Sequence, residues 1–315
     1  MTHLLAIDWG TSSLRGALLA PDGQVIAERS FPRGILTVAP GGFPDVFERC
    51  FGDWMTPDTL CLIAGMAGSQ QGWIEASYCP CPAGFADIAA RLVWVTCGRP
   101  GNIAIVPGLS IEIDGMPDVM RGEETQVFGA LKLLDLNDAG LHRLVLPGTH
   151  SKWVTVANRR ITHFSTWMTG EFYALLRQHS ILARTLPADE SPPDASAFEQ
   201  GVAYALRGEG LLHTAFSART LALFKRMAAE ALPSYLSGLV IGEELRCQTL
   251  QPGDSVVIVG ADALVARYEQ ALALLGVSCQ RAGSNATWLG LRAIAQSVAD
   301  PSTQPLIPRA EAVKR

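Results

Sequence analysis

The sequence is short of charge and of aromatic rings: charged residues make up 17% and aromatics 7% of its 315 residues. No run of Lys or Arg clusters anywhere, and the net charge is −5. That excludes the basic footprint of a nucleic-acid-binding surface. No apolar run reaches the roughly 18 residues that a membrane-crossing helix needs, so no membrane partner is expected. The chain runs from Met1 almost directly into an apolar strand, which leaves no room for a cleavable leader. Cys-x-x-Cys spacing is missing. The seven cysteines are odd in number and scattered, a pattern of reduced thiols in a cytoplasmic protein. Cys79-Pro80-Cys81 is the one close pair, and without a nearby His it does not make a zinc site. What the sequence does have is apolar material, 48% of residues, enough for large buried sheets. At roughly 100–200 residues per domain, the length implies two domains.

The most informative stretch is 4–27. Leu4 to Ile7 is an apolar run that ends on Asp8, and the turn Gly10-Thr11-Ser12-Ser13 follows. Gly16 to Ala20 and Val25-Ile26 are further apolar runs, separated by Pro21-Asp22-Gly23. This alternation reads as a strand–turn–strand–turn–strand meander. The first turn offers what a nucleotide phosphate needs: Gly10 for close backbone approach, the hydroxyls of Thr11 and Ser12, and the Asp8 carboxylate to hold Mg²⁺ through water. An ordinary hairpin with a capping Asp is the competing reading.

A second meander begins at Leu144. An apolar strand runs into Pro147-Gly148-Thr149-His150-Ser151-Lys152, and strands at 153–156 and 161–164 follow. The outline repeats the first. Further strands are expected at 61–64, 93–95, 103–106, 256–259 and 277–280. Helices are expected at 123–134, 169–182, 195–206, 211–229, 233–245, 263–275 and 285–299, the first because Val127, Ala130, Leu131 and Leu134 share one face. The tail from Pro301 is polar and Pro-containing, so it is expected to be loosely attached.

Three glycine-bearing turns thus stand in order: 8–13, 147–152 and Gly260-Ala261-Asp262 after a strand. The order resembles the two phosphate motifs and the adenosine motif of the superfamily that joins sugar kinases, the Hsp70 ATPase domain and actin. Within it, the chain resembles the 2-dehydro-3-deoxygalactonokinase family. The strings that carry the likeness are AIDWGTSSLRGALL at 6–19, GMAGSQQGW at 65–73, MRGEETQVFGAL at 120–131, LPGTHSKW at 146–153, MTGEFYALL at 168–176, HSIL at 179–182 and Gly-Ser-Asn at 283–285.

The resemblance implies an α/β fold of two ribonuclease-H-like (actin/hexokinase-type) domains flanking an ATP cleft. The expected division is 1–141 for the half with the sugar-acid site, 142–300 for the half with the adenosine site, and 301–315 for the tail. It implies ATP and Mg²⁺ as cofactors and a small sugar acid as the partner, 2-dehydro-3-deoxy-D-galactonate, phosphorylated at its 6-hydroxyl. A homo-oligomer is compatible with it. Gly10, Thr11, Ser12, Gly148, Thr149, Ser151, Lys152, Gly260 and Ala261 are then the nucleotide residues, and Asp8 is the metal-side carboxylate. Related sugar kinases carry an acid at the head of the helix that corresponds to 123–134. This implies Glu124 as the base that takes the proton of the attacking hydroxyl, with Glu123 the substitute. Acids in a helix's first turn are also favoured by the dipole alone.

The substrate's carboxylate calls for a cation. Arg121 is the first candidate by position and Arg33 the second, each against the reading of surface charge or a structural ion pair. The 65–73 loop offers Ser69 and Gln71 to sugar hydroxyls and the Trp73 indole to the carbon face, with core filling as the alternative for Trp73. Arg15 is a candidate phosphate contact or a solvated strand residue, and His150 a candidate phosphate contact or a structural loop His. Other outcomes are a kinase of the same fold acting on another sugar or sugar acid, and a non-catalytic sugar-sensing member; sensors carry an added helix-turn-helix, and this chain begins at the first phosphate strand.

Overall fold

The computed structural model describes residues 3–95, 102–136, 140–189, 191–283 and 285–298. Ser284, Ala299 and the 301–315 tail, named above, lie outside the described residues, as does Cys97.

The first meander forms as expected, with β1 His3–Trp9, β2 Leu14–Leu19 and β3 Val25–Phe31. β4 Thr59–Gly65, β5 Cys79–Pro80, β6 Val93–Val95, β7 Asn102–Ile105, β8 Leu109–Ile113 and β9 Met116–Met120 follow. A six-stranded sheet runs in the order β3-β2-β1-β4-β7-β6, and β5, β8 and β9 make a small separate sheet. β1 and β4 pair in parallel. Both read as near-continuous apolar runs because they are central strands: β4 is buried throughout, as parallel strands covered on both faces are. β3, at the edge, is half-exposed.

The second meander gives β10 Leu141–Leu146, β11 Ser151–Ala157 and β12 Arg160–Trp167, and it is completed by β13 Ser255–Val259 and β14 Ser278–Ala282. This sheet runs β12-β11-β10-β13-β14. Its first strand again pairs in parallel with its fourth, Arg143–Val145 against Val256–Ile258. Strand for strand, the order matches β3-β2-β1-β4-β7 of the first sheet.

The helices are α1 Phe43–Phe51, α2 Phe85–Ala89, α3 Glu123–Leu133, α4 Thr169–His179, α5 Ala195–Ala205, α6 Leu211–Thr214, α7 Ser217–Leu223, α8 Leu232–Arg246, α9 Asp262–Leu274 and α10 Ala286–Gln296. Two expected helices are shorter than their patterns. The one at 169–182 stops at His179, and a single 3₁₀ turn follows over Ile181–Arg184, capped by Ser180. The one at 211–229 is broken into α6 and α7 and ends before Lys225, whose φ is +54°, with Ala228 extended.

Contacts group the chain into two compact units. One holds Met1–Leu141, Val154–Phe164 and the residues from Ala282 on; the other holds His142–Trp153 and Ser165–Arg281. The grouping differs from the expected 1–141 and 142–300 in assigning Val154–Phe164 and α10 to the first unit. For α10 the cause is its seam with α3. A Cβ on Gly129 would lie 1.6 Å from the Ala286 carbonyl oxygen, and one on Gly290 would lie 1.8 Å from that of Thr125. In the second unit α5 and α8 meet the same way, Gly201 against Tyr235 and Gly238 against Phe198. Backbones this close leave no room for side chains at the seam.

Candidate active site

In the first unit, four glycine-bearing segments converge at the end of β1, those of Gly10, Gly34, Gly65 and Gly122. Asp8 closes the strand, and its Oδ2 accepts from Arg15 Nη2 at 2.6 Å, as the β1–β2 register, which places Asp8 opposite Arg15, dictates. The turn is closed by Gly10 N–H donating to the Ser13 carbonyl at 2.9 Å. The 33–36 segment leans on it: Ile35 N–H donates to Gly10 O, and a Cβ on Gly34 would lie 2.1 Å from Thr11 O. Thr11 and Ser12 are exposed. Gly65 ends β4 at φ +88°, where a Cβ would come within 3.1 Å of Asp8 Oδ1. Gly122, at φ +106°, abuts the Gly65 Cα at 3.2 Å by the same measure. Both are conformations that a side chain would strain.

Gly122 leads into α3, and the two acids fold back on the entry. Glu123 accepts from the Arg121 backbone N–H at 2.9 Å, and Glu124 from that of Gly122 at 2.7 Å. These bonds satisfy donors that a helix start leaves open. Glu124 is fully buried, and its Oε1 has no hydrogen-bond partner among the described residues. Burial, with Glu123 second, pushes its carboxyl up to about 8, against the pull of the backbone donors and Arg121.

Arg121 sits beside it. Its Nη2 donates to the Ala76 carbonyl at 2.8 Å, and the guanidinium lies 4.4 Å from the centre of the Tyr78 ring. Nε and Nη1 are buried without an acceptor among the described residues. Gly68 makes room for it, because a Cβ there would lie 2.7 Å from Arg121 Nη1. The structure therefore brings Asp8, Arg121, Glu123 and Glu124 to one end of β1 and β4.

Other sequence candidates fall elsewhere in this unit. Trp73 is half-buried with its ring packed on Trp9, Phe43 and Phe47, which is the core-filling alternative. Ser69 Oγ closes its own turn on the Met66 carbonyl at 2.8 Å, and Gln71 is exposed. Arg33 is exposed, and its carbonyl accepts from the Trp9 indole at 3.0 Å.

In the second unit the C-terminal ends of parallel β10 and β13 lie side by side, the edge where open α/β sheets receive ligands. β10 leads into Gly148 and Thr149, and β13 into Gly260 and Ala261, the latter opening α9. The α4 start presses on the first turn: Glu171 N–H donates to Thr149 O at 3.0 Å, and a Cβ on Gly170 would lie 2.5 Å from Gly148 O. His150 Nε2 pairs with Glu171 at 2.5 Å. Gly148, Gly170, Tyr173, Arg267 and Tyr268 are among the residues lining a solvent-open pocket of about 330 Å³.

Two turn residues differ from their expected roles. Ser151 is fully buried, and its hydroxyl donates to Glu244 at 2.9 Å, so this side chain is turned inward. Lys152, read above as a nucleotide residue, is 5% exposed and donates to Thr166 Oγ1 at 2.7 Å. Sequence reasoning passed over Glu244 itself. Its signal was an acid inside the apolar run of α8, but its partners are far away in sequence.

The sequence comparisons agree over nearly the whole chain. The model of the family described as 2-keto-3-deoxy-galactonokinase matches residues 8–294. A protein of Rhizobium meliloti (strain 1021) named as a probable 2-dehydro-3-deoxygalactonokinase is 38% identical over 302 residues, 94% of this chain and 97% of the relative. The 2-dehydro-3-deoxygalactonokinase of Escherichia coli (strain K12) is 35% identical over 299 residues, 94% and 98% of the two chains. A crystal structure from Sinorhizobium meliloti, assigned as a protein of that same activity, superposes with a TM-score of 0.85 at 35% identity, covering 94% of this chain and 99% of its own. A mixed α/β fold with acids and glycine turns at its strand ends, and relatives of this kind, define a carbohydrate kinase. The chain belongs to the 2-keto-3-deoxy-galactonokinase family.

Proposed function

We propose that this kinase moves the terminal phosphoryl group of ATP to the 6-hydroxyl of 2-dehydro-3-deoxy-D-galactonate, yielding the 6-phospho acid, as a cytoplasmic step in galactonate breakdown. The names of the two curated relatives support the substrate. The observation that carries the reading is Arg121, a cation with two buried N–H groups lacking acceptors among the described residues, beside a buried acid at a helix head. A sugar acid supplies what both need: a carboxylate for the fork of Arg121 and a hydroxyl proton for Glu124.

On this reading each five-strand order is a ribonuclease-H-like core, with the sugar-acid site in 1–141 and the adenosine site in 142–300. The turn at Gly10, Thr11 and Ser12 is a phosphate turn of the first half. The turn at Gly148–Lys152 is that of the second, acting through backbone N–H groups and Thr149, with adenosine against Gly260 and Ala261. Glu124 takes the acceptor proton at Oε1, and Arg121 orients the substrate. Phosphoryl transfer asks for in-line placement and charge stabilisation more than covalent chemistry from the protein. Mg²⁺ fits as part of the nucleotide complex: among the described residues no three His, Cys, Asp or Glu gather as a cage, and Mg²⁺ is commonly held by one or two carboxylates with phosphates and water. Asp8 would hold it, and when bound it neutralises charge on the transferring phosphates.

The test is ADP release from ATP with and without a panel of sugar acids. Release is expected to stay near background until 2-dehydro-3-deoxy-D-galactonate is added, since acceptor binding completes such sites. An equal rate with water alone would overturn the reading. Among the described residues no helix is long and apolar enough to cross a membrane.

A further inference from the structure

Glu244 is, with Glu124, one of two buried acids among the described residues, and it lies outside the machinery described so far. It is 1% exposed, near the end of α8. Its carboxylate accepts from four side chains on three other elements. Oε1 takes the Ser151 hydroxyl at 2.9 Å and the Trp153 indole N–H at 2.6 Å. Oε2 takes the Tyr268 hydroxyl at 2.8 Å and the Thr169 hydroxyl in a short bond. Ser151 and Trp153 reach one carboxylate because alternate strand residues share a face. A buried acid is costly unless it is so satisfied.

The four donors are not scattered through the unit. Ser151 closes the 148–151 turn. Thr169 opens α4, whose next residues, Gly170 and Glu171, press on Gly148 and Thr149. Thr169 and Tyr268 also line the pocket with Gly148 and Arg267. The carboxylate thus reaches the turn by two routes, directly through Ser151 and through Thr169 and the head of α4. It has no surface of its own to offer a ligand.

We propose that Glu244 is a positioning residue for nucleotide binding: it holds the 148–151 turn and the α4 head in the one shape that receives phosphate. The proposal rests on the reading of that turn as a nucleotide site. Losing the shared acceptor frees the turn from α4, so the cost falls on ATP and not on the sugar acid.

The experiment measures kcat and both KM values of Glu244→Gln and Tyr268→Phe, with thermal unfolding alongside. Gln keeps the shape and loses the charge; Phe keeps the ring and removes one donor. KM for ATP is expected to rise about tenfold in Glu244→Gln and about threefold in Tyr268→Phe, the range for losing bonds to a charged acceptor, with acceptor KM unchanged. If Glu244→Gln does not fold, Tyr268→Phe decides by the same reading. Folded variants with both KM values unchanged would overturn the positioning role and leave the nucleotide turn standing. A rise confined to acceptor KM would overturn both.

Discussion

Asp8 Oδ2 and Arg15 Nη2 stand 2.6 Å apart across the first hairpin, and the Arg15 guanidinium lies 5.6 Å from the centre of the Trp288 ring on α10. The pair holds the proposed metal-side carboxylate in place while leaving Oδ1 turned toward Gly65. It also puts a cation next to the proposed phosphate turn. Asp8→Asn is expected to lower kcat at least ~100-fold, the scale of losing one electrostatic element of a transition-state site, and to raise the Mg²⁺ level needed for half-maximal rate. A Mg²⁺ titration of the variant at saturating ATP checks it; an unchanged half-maximal level removes Asp8 from the metal's side.

Glu124 is the acid whose environment departs furthest from water in this unit. As the proton acceptor it must be ionised, and its carboxyl stands at about 8. The value of kcat/KM is therefore expected to climb about tenfold per pH unit below that point and to level off above it. Glu124→Gln is expected to lower kcat at least ~100-fold with little change in ATP binding. A flat pH profile across 6 to 9, roughly the window either side of that value, would contradict the assignment.

The same group makes a stability prediction of definite sign. The folded state holds the Glu124 proton between the ordinary carboxylate value of 4.5 and about 8, whereas the unfolded chain has released it. Stability from this group is thus full at low pH and declines as pH rises through that window. Glu124→Gln removes the decline, so the gap in unfolding free energy between variant and parent shifts in the variant's favour from pH 5 to about pH 8. Denaturant unfolding at the two pH values reads it.

Arg121 should divide the two substrates. Arg121→Met keeps much of the aliphatic stem and removes the guanidinium that lies over Tyr78, so acceptor KM is expected to rise about 10- to 100-fold with ATP KM unchanged. Steady-state kinetics in both substrates measure this. An unmoved acceptor KM would place the sugar-acid carboxylate elsewhere, with Arg33 next.

The α3–α10 seam sets the position of the Glu124 helix head. Gly290→Ala would drive a methyl group to 1.8 Å from the Thr125 carbonyl oxygen and force the helices apart. A loss of about 2–3 kcal/mol is expected, visible as a fall in thermal midpoint. Parent-like stability would contradict the close approach.

The parts of this fold that could be read in the sequence were those made by local pattern. β1 and β10 are apolar runs that stop at a Gly-Thr turn, so both meanders were legible. So was α3, where acids precede a repeating apolar face. Patterns misled where apolar residues do not report burial. Leu212, Phe216, Leu223 and Phe224 are all exposed, so the apolar spacing of 211–229 suggested one helix where the backbone turns twice. α1 went unread, although Phe43, Val46, Phe47 and Cys50 are buried at helical spacing. At the site, two adjacent acids looked alike; only the folded chain makes Glu124 the buried one. Glu244 was out of reach for a different reason. Its four partners come from positions 151 to 268, and no local pattern reports a contact that long.

The central claim is that a sugar acid receives phosphate from ATP at its terminal hydroxyl. Phosphorus NMR of the reaction of ATP with 2-dehydro-3-deoxy-D-galactonate tests it most directly. The account predicts one new phosphomonoester signal, split by the two protons of a primary carbon, that grows as ADP forms. Inorganic phosphate as the sole product, or an ester coupled to a single proton of a secondary carbon, would contradict it.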